Sequence, residues 1–114
     1  MAVETALRPR GPYSLRLSAR AEGWRADLPG GRWALARQAP DGRVLVSASC
    51  ERAVEEARFL LALEDDTSAF HRRFARDPLL GPATRLLPGL RPLRTATVAH
   101  AAVRAVCGQL VQAR

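Results

Sequence analysis

The chain has 114 residues, 47% of them hydrophobic, and a formal net charge of +7 from 18 basic against 11 acidic residues. That is one small domain with a thin core, because many of its apolar residues are Ala. No stretch approaches the roughly 18 apolar residues of a membrane span, and MAVETALRPRGPYSL lacks the continuous apolar run of a signal peptide, so the expectation is a cytoplasmic protein.

In chain order, residues 1–11 read as a flexible Pro/Gly-rich lead. Tyr13, Leu15 and Leu17 then alternate with Ser14, Arg16 and Ser18, the period of a half-buried strand. After Pro29-Gly30-Gly31 a second strand carries Trp33, Leu35 and Arg37 on one face and Ala34 and Ala36 on the other. Asp41-Gly42 turns it into a hairpin whose return strand runs from Arg43 to Ser47. At Ser49, a candidate N-cap, the period becomes helical, with Glu51, Glu55 and Glu56 early and Val54, Ala57, Phe59, Leu60, Leu61 and Leu63 apolar. A second helix around Phe70 and Phe74 stops before Asp77-Pro78, since the residue before Pro avoids helical dihedrals. LLGPATRLL holds a further short helical turn, LPGLRPLRT is a rigid extended connector, and a terminal helix starts near Thr97. Its apolar stripe is Ala99, Val103, Val106, Cys107 and Leu110.

Composition narrows the chemistry less than the charge suggests. Every basic residue is Arg, with no Lys, Asn or Ile, a pattern that GC-rich coding also produces, and the arginines are spread along the chain. Cys50 and Cys107 have neither CxxC spacing nor a nearby His, so no metal site is expected, and both are predicted as core residues. Adjacent Asp65 and Asp66 do not face one another and form no acid/base pair; His71 and His100 read as surface residues. Leu87 to Ala96, LPGLRPLRTA, imitates the phosphate-holding LPGxG turn of helix-hairpin-helix proteins. Arg91 stands in place of its second Gly and Pro92 removes an N–H donor, so it is not read as a phosphate site.

The segment PGLRPLRTATVAHAAVRAVCGQLV, Pro88 to Val111, resembles the entry to the helical domain of bacterial DNA-3-methyladenine glycosylase II proteins, chiefly through PGLR, VRA and GQLV. Ala57 to Gly81 is similar to that family's small N-terminal domain. The resemblance implies an α+β fold, a small antiparallel sheet with helices on one face, over residues 12–90. It implies the connector and first helix of an all-α helix-hairpin-helix glycosylase domain over residues 91–114. It also implies that Leu110 is the wedge pushed into duplex DNA beside a flipped base, with Gln109 facing the opened stack, at a helix break that Gly108 suits. The family's usual aromatic-Glu pair is replaced by Ala99 and His100, and its hairpin and catalytic Asp lie downstream of GQLV. The chain is therefore expected to be a truncated front part, with no catalytic residue of its own, no cofactor and no metal. Its expected partners are double-stranded DNA, bound weakly alone, and the missing helical region supplied in trans; no membrane is among them. Two other readings stand beside this one. They are a stand-alone basic nucleic-acid-binding module, which needs arginines clustered on one face of the sheet, and a structural interaction domain, which needs an exposed stripe on the terminal helix.

Overall fold

In the computed structural model, which describes residues 2–110 and only the backbone of Leu110, side-chain alternation sets a four-stranded antiparallel sheet. Its strands are β1 (Val3–Leu7), β2 (Gly23–Asp27), β3 (Trp33–Gln38) and β4 (Val44–Ala48), in the order β1-β4-β3-β2. One face buries Ala34, Ala36, Val44, Val46 and Ala48. The register puts Glu4, Ser47, Leu35 and Arg25 in one cross-strand row of the opposite face, which is open. The predicted hairpin is present: Gly42 adopts φ +93, and the Asp41 carboxylate accepts from the Arg43 N–H at 3.0 Å.

The helices are α1 (Leu15–Ala19), α2 (Glu51–Leu60), α3 (Ser68–Phe74), α4 (Gly81–Leu86) and α5 (Val98–Leu110). Helix α2 lays Ala53, Val54, Ala57 and Leu60 on the buried face, and Leu15 of α1 joins the same core. The fold is thus α+β. Alanine on both sides of the contact lets helix and sheet approach closely, which is how a chain with few large apolar residues still closes a core.

Four local expectations are corrected. Residues 3–7, read as part of a flexible lead, form β1, because Val3, Thr5 and Leu7 alternate with Glu4 and Ala6 and pair along β4. Residues 13–18, read as a strand, enter α1: Ser14 caps it by accepting from the Leu17 N–H at 3.2 Å, while the Leu15 N–H donates to the Gln38 side chain at 2.9 Å. The sequence does not announce strand β2, because Trp24 and Ala26 are a thin apolar signal; pairing with β3 across residues 28–32 makes it a strand. Ser49 does not cap α2. Its hydroxyl accepts from the Trp33 N–H at 3.1 Å and extends the sheet, so Cys50 occupies the cap position without a side-chain bond.

Candidate functional site

The connector from Leu87 to Thr97 is fastened to the sheet domain by its own motif. Gly89 adopts φ +84, and a Cβ there would lie 2.7 Å from both the Ser14 nitrogen and the Tyr13 carbonyl carbon, so only Gly fits. Its carbonyl accepts from the Ser14 N–H at 2.9 Å and the Ser18 hydroxyl at 3.3 Å, and Ser18 accepts in turn from the Arg91 N–H at 2.9 Å. Arg91 is 1% exposed. One of its terminal nitrogens donates to the carbonyls of Ala62 at 2.7 Å and Leu63 at 3.1 Å; the other donates to those of Arg10 and, at 2.8 Å, Pro12.

Sequence reasoning treats Arg91 as the residue that spoils a phosphate-binding turn, whereas in the fold it is the peg of that turn. A planar guanidinium matches two separated pairs of carbonyls; an ammonium is a single point and does not. The acceptors at Ala62 and Leu63 are the carbonyls just past α2, where the helix dipole favours a cation. Arg94 repeats the device nearer the surface, donating to the Phe59 carbonyl at 2.9 Å and the Asp65 carboxylate at 2.5 Å, with its guanidinium 4.5 Å from the Phe59 ring centroid.

Beyond this anchor α5 projects with every described side chain, Val98 to Gln109, exposed. Val103 and Val106, predicted as part of a stripe seeking cover, are 60% and 54% exposed, and Cys107, predicted as core, is exposed too. Gln109 therefore stands open to solvent. The Leu110 side chain, Val111 and Gln112 lie outside the described residues. The helix break expected at Gly108 is not there: α5 runs through it, and among the described residues a Cβ added there would meet nothing within 4 Å. At the root of α5, Phe59, Leu93, Ala96, Val98 and Ala101 line a shallow depression flanked by Arg94 and Arg104.

No family model, curated protein or solved structure matches this chain.

The arginines do not form a basic sheet face. Arg25 and Arg37 share the open side with Glu4 and Asp27, and Arg25 sits 3.6 Å from Asp27. Elsewhere Arg32 and Arg52 share Glu56 at 2.6 and 3.3 Å, and Arg58 spans Glu55 and Glu64, each at 3.2 Å. Burial is the largest single effect on Arg58 and lowers its pKa, but Glu64 and Glu55 together outweigh it and hold the pKa above its ordinary value. Asp65 and Asp66 take separate structural tasks: Asp65 meets Arg94, and the Ser68 hydroxyl together with the Ser68 N–H, the latter at 2.9 Å, holds the Asp66 carboxyl below the usual range. Burial pushes the Tyr13 phenol up to about 12 and lowers the Arg91 pKa. Among the described residues no group of three His, Cys, Asp or Glu is placed to hold a metal, and no helix is long and apolar enough to cross a membrane.

Proposed function

We propose that this chain contributes the N-terminal sheet-and-helix domain and first helix of a base-excision-repair glycosylase of the DNA-3-methyladenine glycosylase II type. It acts in the cytoplasm on double-stranded DNA carrying alkylated bases. The residues that resemble the family precede its hairpin and catalytic Asp, so the reading assigns this chain scaffold and wedge, Gln109 and Leu110, rather than hydrolysis of the N-glycosidic bond. The observation that carries it is the run from PGLR to GQLV: Gly89 and Arg91 peg the connector, while α5 presents its stripe outward. Gly108 adds support. It costs about 1 kcal/mol relative to Ala in a helix, and among the described residues nothing lies within 4 Å of a Cβ built there, which leaves room for the close approach of another backbone or a DNA strand.

The test is binding to two duplexes that differ by one abasic-site analogue, together with an assay for base release. The chain alone is expected to release no 3-methyladenine and to prefer the abasic duplex, since a gap in the stack accepts an apolar wedge without the few kcal/mol of unstacking. Equal affinity for the two duplexes overturns the wedge. A second reading, an interaction domain whose α5 docks on another protein, is favoured by the exposed Val103 and Val106. A helical region of the family's kind packed on α5 is the partner that unites both readings. The stand-alone basic module loses ground, because the sheet face mixes arginines with acids.

A further inference from the structure

Helix α3 differs from α2 in the placement of its arginines. In α2 each Arg has an acid one turn away, Arg52 with Glu56 and Arg58 with Glu55. Residues 67–87 hold four arginines and a single acid, Asp77. That carboxylate is occupied, accepting from the Leu79 and Leu80 N–H groups at 2.8 Å each as the chain turns into α4. Arg72, Arg73 and Arg76 are exposed and have no ion-pair partner among the described residues.

Arg72 and Arg73 lie in the last turn of α3 and Arg76 in the turn that follows it, three exposed arginines within five residues. The α3 dipole favours cations in its last turn and so accounts for Arg72 and Arg73, but not for Arg76, which lies beyond the helix and adds a third like charge that no acid pairs among the described residues. The platform beneath is built: Arg85 donates to the Ala75 carbonyl at 2.9 Å, and α4 packs so closely that a Cβ on Gly81 would lie 2.6 Å from that same oxygen. Arg73 is steadied with its guanidinium 5.5 Å from the Phe74 ring centroid.

From this cluster we propose that the C-terminal end of α3 and the turn after it form a phosphodiester-binding site, where Arg72, Arg73 and Arg76 grip the backbone of one strand of duplex DNA. Guanidinium forks suit phosphate oxygens, and contacts of this kind read no sequence. An anionic bilayer fits less well, because the nearest aromatic rings, Phe70 and Phe74, pack on one another with centroids 4.7 Å apart. The inference rests on the DNA partner of the proposed function but on none of its wedge chemistry.

The experiment measures affinity for an undamaged mixed-sequence duplex against salt concentration. It uses the full chain, the triple variant Arg72→Gln, Arg73→Gln, Arg76→Gln, and a charge-matched control, Arg20→Gln, Arg25→Gln, Arg37→Gln. Each lost phosphate contact removes about 0.9 from the slope of log affinity on log salt, so the α3 variant is expected to lose about 2 to 3 and the control less than about 1. Replacing the same three arginines by Lys should keep most of the slope. Equal losses in the two variants, or none in either, overturn the site in favour of undirected net charge. So does an α3 variant that keeps its duplex affinity and loses only binding to phosphatidylserine vesicles. Preference for the abasic duplex reports the wedge separately: its loss with an intact salt effect removes that reading and leaves this one.

Discussion

The guanidinium carbon of Arg91 lies 4.9 Å from the ring centroid of Tyr13, so a buried cation and a buried phenol share one wall of the domain. The relationship couples the segment before α1 to the connector before α5, and it places a charge that forms no ion pair among the described residues. Four backbone carbonyls take that part instead.

Arg91→Ala is expected to cost at least about 3 kcal/mol, a large share of a small domain's stability of about 5–15, because it leaves buried carbonyls unpaired. Arg91→Lys keeps the charge but reaches fewer of the acceptors and should fall between. Urea denaturation of the two variants checks the order. A loss under about 1 kcal/mol for Ala would mean that water replaces the guanidinium freely.

Tyr13 makes the fold sensitive to alkali. Burial raises its pKa from 10.0 to about 12, with Arg91 pulling the other way, so the folded state disfavours the phenolate. Its contribution is whole below pH 10 and is lost as pH rises through about 12, amounting to on the order of 2 kcal/mol. The chain has a single Tyr, so phenolate absorbance reads this group alone and should appear together with the melting transition. The Tyr13 hydroxyl is buried without a partner among the described residues, and Tyr13→Phe should flatten the alkaline loss without cost at neutral pH.

Among the described residues two other than Gly hold left-handed backbone, Arg20 and Ala62, each at φ 58. Both follow helices, and Ala62 completes a Schellman closure of α2, with Ala62 N–H on Phe59 at 3.1 Å and Leu63 N–H on Arg58 at 3.2 Å. Arg20 is exposed, so Arg20→Gly relieves about 1–2 kcal/mol of strain against about 0.5–1 of added chain entropy and should stabilise by about 0.5–1. Ala62 is buried, and Ala62→Gly also gives up a methyl group worth about 0.8 kcal/mol, bringing the net close to zero. Thermal melts of the two variants should therefore differ in sign or size.

Legibility in the sequence followed range of interaction. The hairpin at Asp41-Gly42 and helices α2 to α5 announce themselves through local period and turn chemistry. At Tyr13 to Ser18 the same alternation suits a strand or one turn of helix, and the Ser14 cap together with distant Gln38 decides it. Strands β1 and β2 depend on partners 20 or more residues away for β1 and on a weakly apolar pattern for both. Arg91 is the sharpest case, for nothing adjacent to it in sequence foretells that Arg10, Pro12, Ala62 and Leu63 converge on its side chain. The α3 cluster, by contrast, was readable: HRRFAR carries no acid, and only the even scatter of arginine elsewhere concealed it.

The terminal helix separates stability from function. Since Val103 and Val106 are exposed, Val103→Ser and Val106→Ser should each change the melting free energy of the chain by no more than about 0.5 kcal/mol. If α5 is the first helix of a glycosylase domain, adding the helical region of a family member in trans should stabilise the chain by mass action, and those two substitutions should weaken that gain. Leu110→Ala should behave differently from both. As a wedge its effect falls on the abasic-duplex preference while stability stays within about 0.5 kcal/mol; as a packed residue it costs about 2–5 kcal/mol with the preference intact. Measuring melting and duplex preference on the same Leu110→Ala protein assigns the residue, because no single role lowers one quantity and predicts the other.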